Sequence, residues 1–341
     1  MLEFLIIHAD SRPDSGQDAR REALSRWLSQ HLGGARFSLT PASEDASFRR
    51  YFRATLDDGS SYVAMDAPPE KEDCRAFLHV AALLRAAGVN APQVHAQDLG
   101  QGFLLLTDLG TRTYLQELNA ENAAALFADA TDALIRWQLA TRPAELPPYD
   151  EALLRREMQL FPDWYVSRHL GVSLNEKQKA ALEQIFALLV KSALAQPKVY
   201  VHRDYMPRNL MLSDPNPGVL DFQDAVMGPI SYDMVSLMRD AFLSWDEERV
   251  LDWSVRYWQK AKDAGLPVEA DFAQFWRTFE WMGLQRHLKV LGIFARINYR
   301  DGKPKYLQDT PRFIRYARDV SRRYSDLAPL TKLLDEMKCE P

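Results

Sequence analysis

The sequence is poor in cysteine: Cys74 and Cys339 are the only two in 341 residues. Two thiols supply neither a disulfide framework nor a zinc ligand set, and reduced thiols in a cytosolic setting are the simple reading. Positive charge is also in deficit. Lys and Arg number 42 against 47 Asp and Glu, a net charge of −5. That argues against a nucleic-acid partner, whose phosphate backbone calls for a basic surplus, and leaves room for a local basic pocket that binds a small anion. Long apolar runs are missing too. Leu2 to Ile7 is too short for a signal-peptide core and has no basic residues before it. No stretch approaches the roughly 20 apolar residues that cross a bilayer. A soluble cytoplasmic protein with no membrane partner and no obligate protein partner is expected. There is no repeat and no low-complexity linker. What the chain does have is 47% hydrophobic residues, enough to build the cores of two lobes at this length.

The order of elements is informative. Residues 1–20 read as a mobile segment, polar from residue 8 onward, with a helix over 19–32 stopped by Gly33-Gly34. A strand over 37–41 precedes a hairpin of 50–56 and 61–66 around Asp57-Asp58-Gly59. A helix over 70–87 follows, with Phe77, Val80, Ala81 and Leu84 at helical spacing and Gly88 as its cap. Strands over 93–97 and 102–107 complete a small mixed sheet. Beyond Thr107-Asp108-Leu109-Gly110 the pattern turns helical, over 120–139, 149–158, 161–170, 175–194, 231–242, 247–264, 271–294 and 311–324. The expected fold is α+β: a sheet-bearing lobe over 1–108 and a larger, mainly helical lobe over 109–341.

Between those helices lies the richest segment. His202-Arg203-Asp204 and Asn209 spell an H-R-D-x-x-x-x-N loop, and Val219-Leu220-Asp221-Phe222 spells an apolar-D-F segment. In phosphoryl transfer these residue types have separate tasks. A carboxylate near its normal pKa of about 4 is a weak base. Asp204 would suit a loose transition state in which the hydroxyl proton leaves late and positioning dominates. Asn209 and Asp221 offer hard oxygen ligands suited to Mg²⁺. Leu210-Met211-Leu212 and Gly218-Val219-Leu220 read as paired short strands that would bring those two ligands together. His202 reads as a packed structural histidine that fixes the loop. Asp233 would start a helix and bond loop amides, with ordinary N-capping as the competing reading.

These motifs, with Phe103 to Gly110, resemble the aminoglycoside-phosphotransferase and choline-kinase group of small-molecule kinases over roughly residues 20–325. Within that group, Met65-Asp66-Ala67-Pro68-Pro69-Glu70, Leu160 to Tyr165 and Trp281 to Pro304 are most similar to the anomeric sugar kinases of cell-wall recycling. The resemblance implies a protein-kinase-like bilobal fold, ATP and Mg²⁺ as cofactors, and transfer to C1 of N-acetylmuramate or N-acetylglucosamine. It also implies that backbone groups of Thr107, Asp108 and Leu109 hold the adenine. A stripe of Arg286, Lys289 and Arg296 would favour a carboxylate-bearing sugar over a cationic aminoglycoside. Trp164 would stack on the ring, and Glu157, Asp163, Gln223, Asp224, Arg286 and Arg300 would bond the small amino-sugar substrate. Each of these residues taken alone reads first as a solvated or packed position.

The sequence departs from the kinase pattern at two points. The lysine usual on the third strand falls on Met65, and the phosphate loop Ser43 to Arg50 has no glycine. Ser47, Phe48 and Arg49 would contact the nucleotide there, with Lys71 as a second source of charge. Arg49 and Arg50 read equally as a solvated strand edge. Two alternatives stay open: a kinase for another small alcohol or amino-sugar, and a nucleotide-binding pseudokinase with a regulatory partner.

Overall fold

The computed structural model describes residues 15–43 and 48–339. The chain forms two units, Met1–Arg112 with Met211–Asp224, and Thr113–Leu210 with Ala225–Pro341. This division differs from the break expected at 108/109. Met211–Asp224 joins the first unit because its backbone is bonded there. Leu212 N–H donates to the Arg112 carbonyl at 2.8 Å and Val219 N–H to the Asn90 carbonyl at 2.7 Å. The Phe222 ring also lies 4.8 Å from that of Phe77.

In the first unit the order is α1 (Ser15–His31), β1 (Phe37–Ser43), β2 (Arg50–Leu56), β3 (Ser61–Asp66), α2 (Cys74–Ala86), β4 (Val94–Asp98) and β5 (Phe103–Thr107). The sheet runs β1-β2-β3-β5-β4 and every pairing is antiparallel, not mixed. The β2–β3 turn is set by chemistry: Asp58 Oδ1 accepts the Ser60 amide at 2.9 Å, and Gly59 takes a φ of 86° that favours glycine. Alternation along the strands puts Phe52, Ala54, Ala64, Phe103 and Leu105 on one face, where Leu24, Trp27 and Leu28 of α1 cover them. Each large apolar side chain buried there contributes roughly 1.5–3 kcal/mol. Helix α1 begins at Ser15, so residues 15–20 are helical where a mobile segment was expected. Residues 1–14 of that segment lie outside the described residues.

The second unit follows with α3 (Tyr114–Glu117), α4 (Ala123–Leu139), α5 (Glu151–Met158), a π-helical segment (Phe161–His169), α6 (Glu176–Ala195) and β6 (Lys198–Val201). The short strands β7 (Leu210–Met211) and β8 (Gly218–Val219) pair as a ribbon. Then β9 (Val226–Pro229) pairs antiparallel with β6. Helices α7 (Tyr232–Met238), α8 (Glu247–Asp263), α9 (Phe272–Asp301), α10 (Thr310–Arg323) and α11 (Ala328–Glu336) complete the chain. Helix α7 is shorter than expected because Asp240 Oδ1 accepts the amides of Phe242 and Leu243 at 2.7 and 2.9 Å, a local turn that competes with the helix. Helix α9 runs seven residues past the expected end and stops at Gly302, whose φ of 67° makes the left-handed cap. It is the buried axis of the unit, and Gly292 lets it meet the Leu160 backbone. Among the described residues no helix is long and apolar enough to cross a membrane.

Candidate active site

Strand β6 delivers the chain into the H-R-D loop, and α7 holds that loop from behind. Asp233 is fully buried. Its Oδ2 accepts the His202 amide at 2.7 Å and its Oδ1 accepts the Arg203 amide at 3.0 Å. Burial pushes its carboxyl up to about 7 against those two bonds. His202 is buried edge-on to Tyr205, and its Nδ1 accepts the Asp204 amide at 3.2 Å, which places the ring proton on Nε2. The Asp204 carbonyl accepts both the Met206 amide and Asn209 Nδ2 at 2.9 Å. The Asn209 amide is therefore turned with its nitrogen toward Asp204, and an amide oxygen is the end of such a side chain that suits a cation. The Asp204 carboxylate is half-buried. Burial opposes its charge, and the Lys289, Arg203 and Arg286 cations favour it.

Beside this loop lies a cluster the sequence did not reveal. Glu157 Oε1 accepts from Arg203 Nη2 at 2.6 Å and from Lys289 Nζ at 2.9 Å, and the Tyr149 hydroxyl donates to Oε2. Burial alone would raise this carboxyl; the two cations and the tyrosine hold it at about 2. Glu157, expected as a sugar ligand, has its oxygens enclosed by protein donors. Lys289, expected in a ligand-facing basic stripe, points to Glu157 and to the Tyr232 hydroxyl at 3.1 Å. An ammonium among Leu288, Val290 and Leu291 was the available signal, because a charge on an apolar helix face needs a buried partner. That partner lies 132 residues away.

The other expected substrate residues of this unit differ in their partners. Asp163 is exposed and accepts from Gln159 Nε2 at 2.8 Å, and Trp164 beside it is half-buried. Arg300 pairs with its neighbour Asp301 at 2.7 Å. Arg286 is buried, and its Nη1 has no hydrogen-bond partner among the described residues.

In the first unit, Asp221 sits in the left-handed region at φ 61°, exposed, with Oδ1 accepting Gln223 Nε2 at 2.9 Å. Gln223 therefore orients the carboxylate, and Asp224 beside it is half-buried. The oxygen donors of Asn209 and Asp221 match what Mg²⁺ prefers. At the end of β5, Arg53 grips Asp108 through Nε at 2.6 Å and Nη2 at 3.1 Å, and Ser61 adds a bond at 2.8 Å. Burial pushes the Asp108 carboxyl up, but these donors hold it below the usual range. The Thr107 amide is already given to the Gln93 carbonyl, and Leu109 is half-buried beyond it. Ser47 lies outside the described residues. Phe48 lies under Lys71 Nζ at 4.7 Å, and Arg49 pairs with Glu72 at 3.2 Å. Met65 is fully buried opposite Leu104, so the lysine position is filled by core. The neighbouring Asp66 is bonded at 3.0 Å by both Arg20 and Arg50.

Residues 38–272 match the model of the phosphotransferase enzyme family. The chain is 55% identical to an N-acetylmuramate/N-acetylglucosamine kinase of Pseudomonas putida, over 94% of this chain and 97% of that protein. It is 53% identical to the protein of the same name from Neisseria meningitidis serogroup B, over 93% and 96%. Among solved structures, the ADP-bound aminoglycoside phosphotransferase APH(2'')-Ib aligns at a TM-score of 0.56 and 15% identity, over 86% of this chain and 97% of that one. An ethanolamine kinase of Plasmodium vivax aligns at 0.61 and 9%, over 91% and 96%. These two likenesses establish a kinase-like fold. With its H-R-D loop gripped from α7 and a family match over more than half its length, the chain belongs to the phosphotransferase enzyme family.

Proposed function

We propose that this chain is an ATP-dependent sugar kinase. It transfers phosphate to the C1 hydroxyl of N-acetylmuramate, N-acetylglucosamine or both, in the cytoplasm, as a step of cell-wall recycling. The observation that carries the reading is the 55% identity over 94% of the chain to a kinase of that name, with the H-R-D loop intact. Asp204 accepts the acceptor hydroxyl's proton. Asn209 and Asp221 hold Mg²⁺, whose charge offsets that of the phosphates. Ser47, Phe48 and Arg49, with the backbone of Thr107 to Leu109, hold the nucleotide. Asp163, Trp164, Gln223, Asp224, Arg286 and Arg300 supply the sugar side, and Arg286 is the best placed of these because a buried guanidinium with an unused donor favours an anionic group. The substrate is a small molecule, and no protein partner is needed for turnover.

The test is ADP release against a panel of N-acetylmuramate, N-acetylglucosamine, choline, ethanolamine and kanamycin. Turnover with the two amino-sugars alone supports the reading. Turnover with choline or kanamycin instead would move the chain to another branch of the family. ATP binding without transfer to any acceptor would make it a pseudokinase, the outcome that an apolar Met65 at the lysine position leaves to be tested.

A further inference from the structure

The chemistry of transfer does not itself use the ionic cluster of Glu157, Arg203 and Lys289. The three side chains expose 8%, 5% and 7% of their surface. One carboxylate thus ties α5, the H-R-D loop and α9 together. Its aromatic walls are continuous: Tyr149 lies 5.3 Å edge-on from Tyr232 and 5.7 Å under the Arg203 guanidinium. The Tyr149 amide is in turn fixed to the Met227 carbonyl of β9 at 2.8 Å.

Arg203 is the residue immediately before Asp204, and its φ is 75°. A side-chain-bearing residue occupies that left-handed region only where its surroundings over-determine it. Here two grips do so. Asp233 holds the Arg203 amide and Glu157 holds its guanidinium. Asp204 follows directly in the chain, so a change in the backbone angles of Arg203 would re-aim its carboxylate. The charges point the same way. One anion and two cations leave a surplus positive charge in the interior, and both cations are attracted to Asp204.

We propose that Glu157 and Lys289 are positioning residues for Asp204, acting through Arg203: the buried cluster holds Arg203 in its left-handed conformation and so fixes where the base meets the acceptor hydroxyl. The proposal rests on the reading of Asp204 as that base.

Steady-state kinetics of the full chain with ATP and N-acetylmuramate test it, with the thermal midpoint measured alongside. Lys289→Met is expected to lower kcat about 100-fold, the cost of displacing a reacting group by about 1 Å, while KM for ATP and for the sugar changes less than about threefold. Lys289→Arg, which restores a donor to Glu157, is expected to recover at least about tenfold of that loss. Tyr232→Phe, which removes one bond to Lys289, is a milder probe, expected to cost about fivefold in kcat; it decides the matter if Lys289→Met does not fold. The proposal is overturned if a folded Lys289→Met variant keeps wild-type kcat. It is equally overturned if both KM values rise with the fall in kcat and in thermal midpoint, the signature of general loosening, or if the fallback Tyr232→Phe leaves kcat unchanged. Failure of the wild type to phosphorylate the sugar would instead sink the functional reading.

Discussion

Replacing Glu157 with Gln keeps the shape of the side chain and removes the one anion shared by two buried cations. The structure gives the cost in two ways. Breaking a buried ion pair by removing one partner costs about 3–5 kcal/mol, because a charge is left without compensation. Independently, a carboxyl held at about 2 instead of its ordinary 4.5 contributes about 3 kcal/mol at neutral pH, at about 1.4 kcal/mol per pH unit. The sign follows from the direction. A depressed carboxyl stabilises the folded state above pH 4.5, and that stabilisation fades as pH falls from 4.5 toward 2. With a urea slope of about 2 kcal/mol/M, Glu157→Gln should lower the unfolding midpoint by about 1.5 M at neutral pH. The gap to the wild type should narrow below pH 4.5. Tryptophan fluorescence in urea at pH 7.5, 5.5 and 4.0 measures this. Equal midpoints at pH 7.5, or a gap just as wide at pH 4.0, would refute the reasoning.

Further outcomes can be checked separately. Gly292→Ala should lower the thermal midpoint by about 6–10 °C, because its Cβ would fall 2.3 Å from the Leu160 carbonyl carbon, backbone that cannot rotate aside; an unchanged calorimetric midpoint would contradict the close approach. Arg53→Ala should raise KM for ATP about tenfold, with KM for the sugar unchanged, because Asp108 loses two bonds that set the Thr107 to Leu109 segment. An unaltered KM for ATP would remove that segment from the nucleotide site. Removal of divalent cations with EDTA should reduce ADP release to background, and added Mg²⁺ should restore it. Turnover that persists in EDTA would remove Asn209 and Asp221 from metal binding.

What the sequence made legible was local. The hairpin of β2 and β3 was plain because Asp57-Asp58-Gly59 is a strong turn between alternating strands. Leu24, Trp27 and Leu28 recur at helical spacing in the sequence, and they form the face of α1 that packs on the sheet. The H-R-D loop was readable because its residue types and spacing describe one piece of chain. Long-range structure was not readable. The pairing of β6 with β9 joins segments separated by the whole catalytic loop, and the Glu157–Lys289 contact spans 132 residues. Glu157 and Lys289 therefore looked like ligand-binding charges, although they are bonded to each other inside the core. The start of α1 was hidden for a different reason: residues 15–20 are polar, and it is Arg20, bonded to Asp66 and to the Gln101 carbonyl, that ties this turn to the sheet. The end of α9 was written in Gly302, but the apolar pattern fades near Phe294 and drew the boundary too early.

The site of phosphorylation is the most direct measure of the account. Product made from ATP and N-acetylmuramate should show, by phosphorus and proton NMR, a phosphate coupled to the proton on C1. A phosphate on C6, or ATP consumed with no sugar phosphate formed, would contradict it.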